Sequence, residues 1–362
     1  MPVLDALRGL AILVVLFHRF NLDLTPSSLP ARLLAYGLDA GWMGVQLFFV
    51  LSGFLITGIL LDSKTRAHYY RTFFGRRVLR IFPLYYAVLI GGFVIVPLVT
   101  GRQPAGHEHQ LWLWTYLSNW TGPLGLGVAA FPHFWSLGVE EQFYFIWPFL
   151  VRRLAPRGLM AVCVGLILVA PISRAIAHGW IGPAAAYEFT ICRIDALAMG
   201  AAAAWALRQP GIAAALARRQ RVIYALTAAV LFAGAVVTRG YVRLTLVTQT
   251  AGYSILAWTF VVLLVGFVLA QASGGQLARR LAPAPLRALG KYSYGMYVFH
   301  TILHHEVGVP VLARLGWITP GAWQSLVYTA AMTVMTFLCA VASYQLVEKH
   351  FLRLKRHAWL RA

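Results

Sequence analysis

Apolar residues in this chain fall into long runs separated by short basic stretches, a pattern unlike the alternating or one-faced patterns of soluble domains. The runs cover roughly residues 3–20, 39–61, 81–99, 134–151, 158–176, 190–207, 222–238, 248–270, 292–308 and 323–347. Each is close to the ~20 residues that a helix needs to cross a bilayer core. The pattern therefore predicts an all-α, polytopic transmembrane helical bundle of about ten spans. Residues 1–350 would form one integral-membrane domain and residues 351–362 a basic tail. No internal repeat is visible.

Composition fits a lipid solvent: 60% of residues are hydrophobic, 12% are charged, and the mean hydropathy is +0.70. The net charge of +20 then needs a different explanation from nucleic-acid binding. The basic residues gather in alternate connections: Lys64 to Arg80, Arg152 to Arg157, Arg208 to Arg221, Arg279 to Lys291, and the tail from Lys349 to Arg361. An even number of spans with basic loops on one side makes both termini cytoplasmic, since Lys and Arg concentrate inside. The first run could also serve as a cleaved signal, but His18, Arg19, Phe20 and Asn21 follow it where small residues are needed. The three cysteines, Cys163, Cys192 and Cys339, lie in predicted spans with neither disulfide nor metal spacing. No metal site is expected, and the Ala-rich stretch 201–206 reads as close helix packing.

Within the spans, polar residues stand out because they are costly. Glu140 and Glu141 sit in an apolar stretch, Phe134 to Pro148, although the whole chain has only eleven acidic residues. A charge at the bilayer centre costs about 2.5–3.5 kcal/mol on insertion scales, so such groups face a bundle interior or a cavity. Arg8 and His18 are ten residues apart, roughly 15 Å along a helix, so Arg8 can lie at the cytoplasmic mouth and His18 deep. A lone histidine is more often a packing residue. That balance shifts when other spans supply Arg193, Asp195 and His300. Arg193 and Asp195, two apart, point in different directions and should pair with other spans. Arg76 and Arg80 share a helical face with Arg77 beside them, a set of planar forks suited to phosphate oxygens. Lipid headgroups are the simpler partner for such charge. The longest connection, about residues 100–133, carries an aromatic patch, Leu111 to Trp120, expected at the outer interface. Its Asn119-Trp120-Thr121 triplet fits a glycosylation sequon.

The segments LDALRGLAILVVLFH (Leu4 to His18), GVQLFFVLSGFLITGILL (Gly44 to Leu61), RRVLRIFPLYY (Arg76 to Tyr86), HFWSLGVEEQFYFIWPFL (His133 to Leu150), RIDALAMG (Arg193 to Gly200) and YSYGMYVFH (Tyr292 to His300) occur in an order and spacing that cover nearly the entire chain. In these the chain resembles the membrane acyltransferase 3 family, O-acyltransferases of envelope glycans, exopolysaccharides, Nod factors and macrolides. The resemblance implies a ten-span bundle in the bacterial inner membrane that uses cytoplasmic acyl-CoA, most commonly acetyl-CoA, as co-substrate, with no permanently bound cofactor. It implies functional positions at His18 and Arg8, at Arg76, Arg77 and Arg80, and at Glu140 and Glu141. His133, Ser136, Arg193, Asp195, Tyr292 and His300 are further candidates. The family's first-span arginine and histidine are commonly one residue further apart, and one residue turns a helix by about 100°. A local bulge in the first span could restore their alignment, and without one Arg8 loses its role before His18 does. Some relatives append an SGNH-type domain, and the resemblance implies a stand-alone form here.

Acyl transfer to a hydroxyl needs a base, donors for the developing oxyanion and a holder for the donor molecule. His18 is the expected base, Glu140 or Glu141 would orient it or the acceptor, and the arginines would bind coenzyme A phosphates. An acyl-histidine intermediate is a variant of the same chemistry. The partners are then acyl-CoA, a carbohydrate or other hydroxyl acceptor, and the bilayer. The competing class is a proton- or ion-coupled secondary transporter, since buried Glu, Asp, Arg and His also build ion pathways. Against it stand the basic loop and the absence of repeat symmetry.

The charge pattern generates a direct test. A reporter fused after Arg361 is expected to behave as cytoplasmic, with no alkaline phosphatase activity. Activity there would invert the topology and remove the arginine loop from the donor's side.

Overall fold

The computed structural model describes residues 1–22, 35–128, 130–317 and 321–356. The far end of the tail, including Arg361, lies outside the described residues. The chain forms two compact units, one of residues 1–45 with 275–350 and one of residues 46–274 with 351–362. Among the described residues there are ten long helices and no strand. They are α1 (Pro2–Phe20), α2 (Met43–Asp62), α3 (Tyr69–Ile90), α4 (Trp135–Arg153), α5 (Pro156–Trp180), α6 (Thr190–Ala206), α7 (Gln220–Val237), α8 (Tyr253–Ala272), α9 (Ala284–Leu303) and α10 (Ala322–Ser343). Each apolar run of the sequence coincides with one of them.

Seven helical stretches among the described residues are long and apolar enough to cross a membrane, and the protein is a polytopic helical bundle. The helices outside that set are α1, α4 and α9. These are the helices that carry Arg8, His18, the Glu140–Glu141 pair, Tyr292 and His300. Four single π turns, Gly91–Ile95, Thr248–Gly252, His304–Gly308 and Tyr344–Glu348, adjoin long helices. α1 contains none and is continuous α-helix, so no bulge restores the alignment of Arg8 with His18. The ten-residue spacing stands, and it leaves the two side chains about 80° apart around the helix.

In the first unit α1 packs along α9, and α9 along α10. Glycines set the first distance: a Cβ on Gly9 would lie 2.0 Å from the Leu286 carbonyl oxygen, and one on Gly290 would lie 1.8 Å from that of Asp5. Only hydrogen at these positions permits such an approach, and small residues are the means by which helices associate in lipid. The C-terminal end of α1 is tied by α10 hydroxyls. Thr329 donates to the Phe20 carbonyl at 3.1 Å, and Leu22 N–H donates to Ser325 Oγ at 3.2 Å. Both bonds satisfy backbone groups that a helix end leaves open.

The second unit uses the same device between α2 and α6, where a Cβ on Gly53 would meet the Leu197 oxygen at 2.0 Å and one on Gly200 the Val50 oxygen at 2.1 Å. The neighbouring alanines, Ala201, Ala203 and Ala204, are buried, as the Ala-rich stretch implied. The aromatic connection is only partly exposed. Leu111 and Trp120 remain exposed, but Leu113 and Tyr116 are buried. Tyr116 stacks on Tyr85 of α3 with centroids 4.1 Å apart. The Tyr85 hydroxyl donates to the Leu113 carbonyl at 2.7 Å and the Tyr86 hydroxyl to that of Trp114 at 3.1 Å. α3 thus offers hydroxyls that draw the loop inward. Asn119 of the sequon triplet is fully buried and its amide donates to Thr190 Oγ1 at 3.1 Å, so it is structural here and not a surface acceptor.

The charged core of the second unit is the pair Arg174–Asp195. Both are fully buried and 3.0 Å apart, and Ser254 donates to the same carboxylate oxygen at 2.7 Å. Arg174 also donates to the carbonyls of Cys192 at 2.7 Å and Thr250 at 3.0 Å. Removing one partner of a buried pair costs about 3–5 kcal/mol, because the other charge is left behind. Arg174→Met alone is therefore expected to lower the unfolding temperature sharply in detergent, while Arg174→Met with Asp195→Leu recovers much of the loss. A single variant as stable as the parent would show that the pair is not what ties α5 to α6.

Candidate functional site

The second unit brings most of the candidate residues onto α3, α4 and α6. Glu140 and Glu141 are adjacent on α4 and face different surroundings, as their 100° separation requires. Glu140 is held. Ser52 of α2 donates to its Oε1 at 2.6 Å, and the Tyr144 hydroxyl lies 3.1 Å from its Oε2 and 2.9 Å from Ser52 Oγ. The Arg77 guanidinium covers the Tyr144 ring, with Cζ 4.0 Å from the centroid. A continuous chain of contacts thus runs from the basic stretch of α3 to the carboxylate: Arg77, Tyr144, Glu140, Ser52. Glu141 instead lines a cavity of about 1000 Å³. Arg77, Gln142 and Thr190 share its wall with apolar residues such as Phe74 and Ile194. Gln142 is fixed by donating to the Tyr116 carbonyl at 2.9 Å and to Asn119 Oδ1 at 2.8 Å, and it accepts a short bond from Thr190.

Arg193 and Asp195 do not pair with each other, as their spacing predicted. Asp195 belongs to the Arg174 pair. Arg193 is fully buried among rings, with Cζ 4.4 Å from the Tyr253 centroid, 5.1 Å from Tyr187, 5.5 Å from Phe49 and 5.7 Å from Trp135. The π faces supply the negative potential that a carboxylate would otherwise give. His133 is buried and edge-on to Phe134, and its carbonyl accepts from the Ser136 hydroxyl at 3.2 Å. Both residues hold the turn into α4.

Arg76, Arg77 and Arg80 lie on the second to fourth turns of α3. The short helix Leu354–Arg356 packs against α3. Its Lys355 is half-buried, and burial, followed by the nearby guanidinium groups of Arg80, Arg77 and Arg76, pulls its ammonium down to about 8.

In the first unit His18 meets a carboxylate that sequence did not single out: its Nδ1 lies 3.6 Å from Asp39 Oδ1. Gly41 makes this possible, because a Cβ there would lie 2.5 Å from the His18 Cβ and 2.2 Å from the Val14 oxygen. Arg8 is half-buried, two to three turns away on the same helix. His300 is buried with both ring nitrogens engaged. Nδ1 donates to the Tyr297 carbonyl at 2.6 Å, and Nε2 lies 3.1 Å from the Thr301 hydroxyl. Such a ring is held in one orientation. Tyr292 lies edge-on to Phe337 and Tyr344, with the Lys291 ammonium 4.9 Å over its ring.

Among the described residues no cluster of three or more His, Cys, Asp or Glu could hold a metal ion. Sequence reasoning missed Ser52, Tyr144, Asp39 and Arg174. Tyr144 alone carried a usable signal, four residues after Glu140 and hence on the same helix face.

Comparison with known proteins agrees with this architecture. The profile of a family described as "Acyltransferase domain" matches residues 1–345, so the chain belongs to the acyltransferase 3 family, a class of membrane enzymes. It is 26% identical to the peptidoglycan O-acetyltransferase OatA of Listeria monocytogenes serovar 1/2a over 96% of this chain and 55% of that protein. It is 24% identical to the O-acetyltransferase OatA of Staphylococcus aureus (strain NCTC 8325) over 96% of the chain and 56% of the relative. With the putative peptidoglycan O-acetyltransferase YrhL of Bacillus subtilis (strain 168) the identity is 27% over 96% and 54%. The chain spans about half the length of these curated relatives. No solved structure matches it.

The two glutamates should separate experimentally. Glu140→Gln replaces an oxygen that accepts with an amide that cannot, and is expected to cost about 1–3 kcal/mol of stability. Glu141→Gln removes no such bond and should leave the unfolding temperature near that of the parent. Equal shifts for both, measured in the same detergent, would contradict the division of labour on α4.

Proposed function

We propose that this protein transfers an acyl group, an acetyl in the commonest family case, from cytoplasmic acyl-CoA to a hydroxyl of a cell-envelope glycan or a secreted acceptor. The observation that carries this reading is the contact chain from Arg77 through Tyr144 to Glu140 and Ser52. It joins a set of guanidinium groups suited to phosphates with carboxylates suited to a hydroxyl acceptor, inside one compact unit. The names of the relatives, peptidoglycan O-acetyltransferases among them, favour a carbohydrate acceptor.

In this reading the arginines of α3 bind the phosphates of the donor through paired, charge-assisted hydrogen bonds. His18 is the base. The Asp39 carboxylate, 3.6 Å from its Nδ1, favours the imidazolium that forms when it takes a proton. As the acceptor oxygen attacks the thioester carbonyl, His18 takes the hydroxyl proton. The tetrahedral intermediate carries its charge on the former carbonyl oxygen, and collapse expels the coenzyme A thiolate, which is protonated as it leaves. Glu141 faces the cavity and is assigned to the acceptor. Glu140 positions Tyr144, and with it Arg77. Ten crossings with both termini cytoplasmic would put the α3 arginines and the basic tail on the donor's side.

The reading is tested with purified protein in liposomes, supplied with labelled acetyl-CoA, together with mass spectrometry of envelope glycans from cells with and without the gene. A product whose mass increment of about 42 Da is lost without the gene supports it, since that is the change when an acetyl replaces a hydroxyl hydrogen. Solute uptake without acyl-CoA consumption would replace it with transport. His18→Ala is expected to lower the transfer rate about 10²- to 10⁴-fold while the protein remains in the membrane at normal level. Near-normal transfer by a well-expressed variant would return His18 to packing.

A further inference from the structure

The basic patch on α3 is larger than its own sequence stretch. The tail folds back so that the short helix Leu354–Arg356 packs on α3 within the same unit, some 275 residues further along the chain. Lys355 is half-buried there, with Arg80, Arg77 and Arg76 all near enough to oppose its charge. Like charges brought together at the edge of a low-dielectric region repel strongly, and a half-buried lysine has also lost part of its hydration. An anion bound among the lysine and the three arginines would offset this repulsion and complete the arrangement. Four cations from two distant segments suit a ligand with several negative oxygens better than a single carboxylate. Phosphate groups meet that description.

We propose that Lys355 is a further phosphate-binding residue, and that the tail closes over the α3 arginines to complete one polyanion site. The assignment rests on the donor reading above for the identity of the polyanion, which is then the phosphorylated portion of acyl-CoA. An anionic lipid headgroup presents the same oxygens at the same membrane face. Lys355 binds as a point charge and the arginines as planar forks. Lys355 is accordingly a donor-binding residue and takes no part in the chemical step.

The full chain in phosphatidylcholine nanodiscs separates these cases. Binding of coenzyme A and the KM for acetyl-CoA are measured for the parent, Lys355→Gln, Lys355→Arg, the Arg76→Gln with Arg80→Gln variant, and Lys349→Gln. Lys349 is half-buried like Lys355 but its ammonium is bonded to Gln345, and so it controls for the general loss of a basic charge near the tail. The expected result for Lys355→Gln is about a tenfold weaker coenzyme A affinity and a raised donor KM at nearly unchanged kcat, with recovery in Lys355→Arg and no effect in Lys349→Gln. Recovery by arginine and an unchanged unfolding temperature exclude simple misfolding of the tail. Unchanged coenzyme A affinity in Lys355→Gln, beside weakened binding in the double arginine variant, overturns the role of Lys355 and leaves the donor reading intact. Unchanged affinity in both overturns the donor reading as well. The same proteins in discs containing phosphatidylglycerol supply the last arm. If Lys355→Gln loses only the stabilisation given by that lipid, the patch holds a headgroup and the donor assignment of Lys355 falls.

Discussion

Charge inside lipid must be neutralised by the protein itself, and that constraint governs where the helices of this molecule can go. Water is not available to hydrate a stray carboxylate or guanidinium, so each one recruits partners from other segments. Asp195 and Arg174 recruit one another and Ser254, which ties α5, α6 and α8 together. Arg193 makes no salt bridge among the described residues and is enclosed by four aromatic rings. Glu140 takes its bonds from Ser52 and Tyr144. The three solutions differ in chemistry but have the same effect of fixing helix positions by polar contacts of defined geometry.

Close backbone approach supplies the second half of the architecture. Hydrophobic burial does little to join helices that are already in hydrocarbon, so association rests on packing and on small residues. Gly9 with Gly290, and Gly53 with Gly200, bring backbones to distances that any side chain would prevent. Gly41 does the same beside His18 and so brings Asp39 within reach of the imidazole. The candidate residue His18 is therefore positioned partly by a glycine that has no chemistry of its own.

Much of the fold was legible because lipid demands long apolar runs, and each run became one helix. The paired glutamates, the α3 arginines and His18 stood out as candidates for a related reason: charge and polarity are conspicuous against such a background. The inward contacts of the aromatic connection were not legible. Its residues have the composition of an interfacial belt, but Tyr85 and Tyr86 of α3 draw its backbone carbonyls inward, and composition carries no information about that bond. Asn119 illustrates the same limit, since a sequon describes three residues and not their burial.

The sequence by itself determined the solvent, the helical class, the positions of the helices and the residue types able to carry acyl transfer. Those properties follow from local composition and from the 3.6-residue period, which neighbouring residues settle among themselves. Tertiary structure alone decided which polar groups meet. It gave Glu140 to Ser52 and Glu141 to a cavity, gave Asp195 to an arginine 21 positions earlier in place of the nearby Arg193, set Asp39 beside His18, and laid Lys355 on a helix that begins at Tyr69. Partner choice depends on where distant helices cross, and crossings are fixed by packing between segments that share no local pattern.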